Sequence, residues 1–177
     1  MRSMRPARSL VITSLATACT IALFAAPAHG TYWSGGMPRA DFSIRTYSYN
    51  PTWQGPLDNG IVNWNGTPTP AAIGKLSSSP NTLTATSYSD TWYGLFTSSG
   101  PRDSSRTFTI KLNSRTISRD ATNFSNMVTR VFSHELGHGL SMADNPSTSS
   151  SSIMKYTAWN TLVKPTTYDI AEVNRIY

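Results

Sequence analysis

Thiols are all but missing from this 177-residue chain, which has one cysteine, three histidines and glutamate only at positions 135 and 172. The cysteine, Cys19, falls in an opening segment with the marks of an export signal. Arg2, Arg5 and Arg8 precede an apolar stretch from about Leu10 to Phe24, and Ala26-Pro27-Ala28 supplies a small-x-small cleavage pattern. Residues 1–30 are therefore expected to be a secretory signal peptide, and 31–177 a single extracellular domain with enough length for one core. With no cysteine in 31–177, disulfides, a thiol nucleophile and a thiolate over a metal are all excluded. Removing the three Arg turns a net charge of +6 into +3, with 12 basic against 9 acidic side chains. A nucleic-acid partner thereby loses its electrostatic footprint. No second long apolar run follows, so no membrane association is expected after signal cleavage. A monomer is expected.

The segment from Thr31 to about Gly100 is rich in Tyr, Trp, Ser, Thr, Asn and Gly, a composition suited to strands and loops. Strands are predicted over Asp41–Tyr49, Thr82–Tyr88 and Thr91–Phe96. The clearest is Thr107–Asn113, where Phe108, Ile110 and Leu112 share one face. Tyr49-Asn50-Pro51 reads as a turn, and Leu57, Ile61 and Trp64 suggest a helix over Pro56–Trp64 despite Gly60. From Asp120 the period changes. Phe124, Met127, Val128, Val131 and Leu136 recur at threes and fours, predicting a helix from about Ala121 to Leu140 with Asp120 or Asn123 as N-cap. A last amphipathic helix is predicted over Tyr168–Arg175, capped by Thr166 or Thr167. Strands first and helices last, without βαβ alternation, point to an α+β domain.

His134-Glu135-Leu136-Gly137-His138 lies on the long predicted helix. At 3.6 residues per turn, two imidazoles four residues apart are about 40° apart around the axis and one turn apart along it, so both can reach one ion. Glu135 sits on the neighbouring flank, able to touch a water on that ion but poorly placed to ligate it. Two neutral nitrogens, a water whose pKa falls to about 7 on zinc and a carboxylate to take its proton are what a zinc hydrolase requires. A chance pentapeptide is the bland alternative, and the scarcity of His and Glu elsewhere weighs against it. A catalytic zinc usually takes three protein ligands, and residues 31–177 have no third His to offer. The third ligand would then be a carboxylate: Asp144, just past the predicted helix end, or Asp169 or Glu172 in the last helix.

The run His-Glu-Leu-Gly-His-Gly-Leu-Ser-Met-Ala-Asp over 134–144 resembles the extended zinc signature of the metzincins. Its Asp-ended form is similar to that of the small secreted bacterial neutral proteases of snapalysin type. Ser151-Ser152-Ile153-Met154 resembles the Met-turn of that clan, and the closing helix is similar to the last helix of matrixin-like domains. The resemblance implies a fold: a twisted mixed β-sheet, two helices of which the second carries the signature, and a small C-terminal subdomain ending in a helix. It also implies a secreted zinc endopeptidase acting on protein or peptide substrates. His134, His138 and Asp144 would be ligands to one Zn2+, Glu135 the general base, Met154 a support under the metal and Tyr156 a candidate transition-state stabiliser. Thr91, Trp92, Tyr93, Gly94, Leu95 and Phe96 would form the sheet edge to which substrate adds as a strand. Calcium is a property of some relatives, but no Asp-x-Asp-x-Asp-Gly loop supports it here.

Ser141 departs from the family pattern by standing where glycine is usual; were its φ positive, it would cost on the order of 1 kcal/mol. Asp144 in place of His adds negative charge beside the water. Two rival readings are a carbohydrate- or protein-binding β-rich module, suggested by the 5 Trp and 8 Tyr, and an inactive metal-binding relative. With no propeptide in view, activity directly on export is expected.

Overall fold

A computed structural model of the chain describes residues 32–145, 147–156 and 161–177. The expected leader over 1–30 lies outside the described residues. In chain order the elements are β1 (Asp41–Ile44), α1 (Pro51–Asn65), β2 (Ala72–Lys75), β3 (Thr82–Thr86), β4 (Gly94–Ser99), β5 (Thr107–Asn113), α2 (Ser114–Asp120), α3 (Phe124–Gly139) and α4 (Thr167–Ile176). The α+β class is as expected. No helix among the described residues is long and apolar enough to cross a membrane.

The sheet departs from the single mixed sheet expected. β1 and β2 pair in parallel as one sheet, while β5 lies between parallel β3 and antiparallel β4 in a second. The reason lies at Asn81, which is buried between them. Its amide nitrogen and the Ser79 hydroxyl both donate to Ser43 O, and its amide oxygen accepts from Phe108 N at 2.9 Å. Side chains thus occupy groups that a continuous ladder would have used, and only Arg45 N to Asn81 O crosses as a backbone bond, at 2.7 Å. β1 also stops at Ile44, five residues short of the predicted end.

α1 begins earlier than predicted. The Asn50 side chain accepts from Trp53 N and Pro51 takes the first helical turn, so the Asn-Pro pair starts the helix and makes no turn. α1 packs on α3, and Trp64, fully buried, donates its indole N–H to Ser133 O at 2.8 Å. The long helix predicted from Ala121 begins instead at Phe124, with Asn123 as N-cap accepting from Asn126 N. Residues 114–120, unassigned in the sequence, form the short α2, whose N-cap is Asn113 at the end of β5. One contiguous core joins these elements, including Ile44, Leu57, Trp64, Ile110, Leu112, Phe132, Leu136 and Val173.

α3 ends through Leu140 into Ser141, whose φ is 61°, the one positive φ at a non-glycine among the described residues. The cost expected of Ser there is offset by its buried hydroxyl. That hydroxyl lies 3.1 Å from Met37 O and 2.8 Å from the Tyr177 hydroxyl, and accepts from Arg102 Nη2 at 3.0 Å. Ser141→Ala keeps the strain and loses these bonds, a destabilisation of about 2 kcal/mol. Ser141→Gly loses the bonds but relieves the strain, leaving a net change under about 1 kcal/mol. Chemical denaturation of the two variants should therefore rank Ala below Gly; the reverse order would refute this account.

Candidate metal and catalytic site

α3 carries His134, Glu135 and His138 to the floor of an open cleft of about 840 Å³. The loop after Ser141 brings Asp144 to the same place. Asp144 Oδ1 lies 3.0 Å from His134 Nε2 and 3.6 Å from His138 Nε2. Among the described residues these three form the one group of metal-ligating side chains, with ligand atoms all within 4.8 Å of one another.

Local bonds aim both rings. His134 Nδ1 lies 3.0 Å from Ile153 O, and His138 Nδ1 lies 2.9 Å from Met142 O. A carbonyl can only accept, so each Nδ1 carries a proton, and each Nε2, which faces Asp144, is the atom whose lone pair a neutral ring can give to a metal. Two imidazole nitrogens and one carboxylate suit zinc, and ligands about 2.0–2.1 Å from a tetrahedral ion stand roughly 3.3 Å apart. The 3.0 and 3.6 Å separations bracket that value. With all three ligand atoms within 4.8 Å of one another, the group could hold a metal ion, and its donor set suits zinc.

Charges in the cleft are coupled. Against the desolvation that lowers it, the Asp144 carboxylate holds His134 above the ordinary imidazole value. Burial, with His134 beside it, pushes His138 down to about 4. Asp144 stays below the usual carboxylate range: burial works to raise it, and the two imidazoles pull it down. Glu135 is 4% exposed, and burial pushes it up to about 7, opposed by His134 and the Phe96 backbone and assisted by Asp144. A carboxyl held near neutrality in a cleft is what proton transfer at neutral pH calls for.

Met154 is fully buried beneath the motif. A Cβ placed on Gly137 would meet its Sδ at 2.3 Å, so only glycine between the two histidines lets the thioether lie against this turn of α3. Tyr156 is 63% exposed at the cleft rim.

The edge strand expected over Thr91–Phe96 begins at Gly94. Among the described residues β4 pairs with β5 alone, and its Gly94, Leu95 and Phe96 line the cleft. Thr91, Trp92 and Tyr93 line the cleft but precede the strand. Tyr93 O still accepts from Asn113 N at 2.8 Å, but before it side chains take the carbonyls. Arg115 donates to Tyr88 O, Ser89 O and Asp90 O, Asn113 to Asp90 O, and Thr116 to Trp92 O.

The structure separates the three carboxylates considered as third ligand. Asp169 is fully buried away from the imidazoles, accepting from Ser152 Oγ (2.5 Å), Ile153 N (2.9 Å) and Thr166 N (2.8 Å) while closing the capping box of α4. Glu172 pairs with Arg175 at 2.7 Å. Only Asp144 stands with the histidines. Of the Trp and Tyr that suggested a sugar-binding module, Trp64 and Tyr47 are buried and Trp53 meets Phe124 edge-on, while Trp33, Trp92, Tyr93 and Tyr156 line the cleft. Sequence reasoning missed Trp33 and Arg130, which also line the cleft. Nothing local to Trp33 signals this, whereas Arg130 stands one turn before His134 on the same face and was accessible from the helical period. No family model matches the chain, and no curated protein matches it by sequence.

Proposed function

We propose that this protein is a secreted zinc endopeptidase of metzincin type. The observation that carries the reading is the convergence of His134 Nε2, His138 Nε2 and Asp144 Oδ1 beside the buried Glu135, on the floor of a cleft lined by the edge strand β4. Met154 under α3 and the closing α4 support this reading, while the two separate sheets depart from the arrangement the signature implies.

His134, His138 and Asp144 would hold the ion, which when bound makes an attached water acidic near neutral pH and polarises a carbonyl oxygen. The chain's own groups supply the remaining parts. An extended peptide adds to the open edge of β4, its backbone pairing with the strand and its scissile carbonyl brought over Glu135. Glu135 takes a proton from the attacking water as the C–O bond forms and hands it to the amide nitrogen as the C–N bond breaks, so the amine leaves neutral. Low solvent exposure keeps that proton from leaking to bulk water. Tyr156, on the rim two residues after Met154, would donate a hydrogen bond to the developing oxyanion, the role the resemblance implies for it.

The test is purified secreted protein assayed on casein with its metal content measured. One equivalent of zinc, loss of hydrolysis on chelation and return on adding zinc are expected. Casein cleavage that persists after complete metal removal would rule the proposal out.

A further inference from the structure

The chain near its expected mature start reaches the metal-binding groups. Trp33 N donates to Ser141 O at 2.7 Å, Met37 N to Gly139 O at 2.9 Å, and Tyr32 bridges Met142 in antiparallel fashion. Residues 32–37 thus run as a strap along 139–142, the stretch that joins His138 to Asp144. Met142, bridged by Tyr32, is also the residue whose carbonyl accepts from His138 Nδ1. At the cleft end of the strap the Trp33 ring meets the His138 ring edge-on, with centroids 5.3 Å apart, and meets Phe96 of β4 at 5.7 Å.

The strap is fastened by cations and close approach. Arg106 donates through Nη1 to Ser34 O and to Gly36 O (2.8 Å), while its other nitrogens hold Pro101 O and Gly100 O. Arg102 Nη2 and the Tyr177 hydroxyl both donate to Met37 O, at 3.0 and 2.8 Å. Gly36 lies so near Ser141 that a Cβ there would come within 2.4 Å of Ser141 Cα. Arg102, Arg106 and Tyr177 do not line the cleft, whereas Trp33, on the strap they hold, does.

We propose that Trp33 is a positioning residue for the metal centre: its ring, held by the Arg106-fastened strap, sets the orientation of the His138 imidazole. This rests on the reading of His134, His138 and Asp144 as a zinc site. Besides Trp33, the His138 ring is held by the bond to Met142 O and meets the His134 ring edge-on at 4.8 Å and Phe96 at 6.2 Å, with Asp144 Oδ1 3.6 Å from its Nε2. Of these neighbours Trp33 is the one carried by the strap; an imidazole with a further contact on its edge loses less freedom on ligation, and outer partners of ligating histidines commonly change metal affinity by about 10–100-fold.

The experiment is cobalt(II) titration of the metal-free secreted protein, read by visible absorption, with melting temperature recorded for each variant. Wild type and His138→Ala test the zinc-site reading: if wild type takes no cobalt, or His138→Ala takes it equally well, that reading falls and this proposal with it. Given binding to wild type, Trp33→Ala is expected to bind cobalt about tenfold more weakly with an altered d–d spectrum, and Trp33→Phe to recover most of both. Should Trp33→Ala fail to fold, Arg106→Gln loosens the strap with the ring intact and is expected to weaken cobalt binding in the same direction. Unchanged affinity and spectrum in Trp33→Ala, or in Arg106→Gln where Ala does not fold, would overturn the proposal while leaving the zinc site standing. Equal loss in Trp33→Ala and Trp33→Phe would overturn it as well, since a ring that only packs edge-on is replaced by another ring.

Discussion

Glu135→Gln is expected to lower casein hydrolysis by about 10²–10⁴-fold while the protein keeps its zinc. The amide fills the same space and adds no charge, so the ligands keep their geometry; what is lost is the group that accepts the water's proton. Stability should move the other way. Glu135 is 4% exposed and burial pushes its carboxyl up to about 7, from a starting value of 4.5. A carboxyl whose folded pKa lies above its unfolded one weakens the fold increasingly as pH rises from about 4.5 to about 7, because the buried charge is disfavoured. A neutral Gln removes that cost, so in the metal-free protein at pH 7 to 8 the variant should melt no lower than wild type. Hydrolysis at the wild-type rate by zinc-loaded Glu135→Gln would mean that the proton is moved by some other group.

The parts of the fold that were legible are those whose signal is local and periodic. β5 has its predicted bounds because Phe108, Ile110 and Leu112 are all buried on one face. α3 was found from its apolar threes and fours, and the choice between Asp120 and Asn123 as cap could be made only by seeing which side chain reaches a free N–H. α2 went unread because it buries just Thr116 and Ile117, too few positions to show a period. The start of β4 was misplaced for a different reason. The carbonyls of Tyr88, Ser89, Asp90 and Trp92 are taken by Asn113, Arg115 and Thr116, a capture that no pattern within 88–96 can announce.

The same division runs through the site. His134, Glu135, His138 and Asp144 lie close in sequence, so helical geometry and a short return loop suffice to bring them together. Trp33 and Ile153 reach the two imidazoles from distant parts of the chain. Asp169 is intermediate. The Thr166-x-x-Asp169 capping pattern is readable, and helix capping is part of its role, but its grip on residues 152 and 153 is visible only in the fold.

That grip sets the second large effect. Asp169→Ala would remove the acceptor of the Ser152 hydroxyl and of the Ile153 and Thr166 N–H groups, buried or half-buried donors for which the loss of such a bond costs about 1–3 kcal/mol each. Allowing for relaxation, a loss of about 3–5 kcal/mol is expected, a large share of the roughly 5–15 kcal/mol typical of a domain. The damage should also reach the ligands, since Ile153 donates its N–H to Asp169 while its carbonyl orients His134. Asp169→Asn keeps one acceptor oxygen but turns an NH2 toward donors, and should fall between Ala and wild type. Asp144→Ala is expected to do the opposite. Its carboxylate is 48% exposed and meets only the two imidazoles, so the melting temperature of the metal-free protein should stay close to wild type while zinc affinity collapses. Denaturation curves on metal-free protein, set beside zinc titrations of the same samples, separate the two roles. Wild-type stability in Asp169→Ala would remove the carboxylate from the support of the 152–154 turn, and undiminished zinc affinity in Asp144→Ala would remove it from the ligand set. The two variants together distinguish a carboxylate that holds the metal from one that holds the turn beneath it.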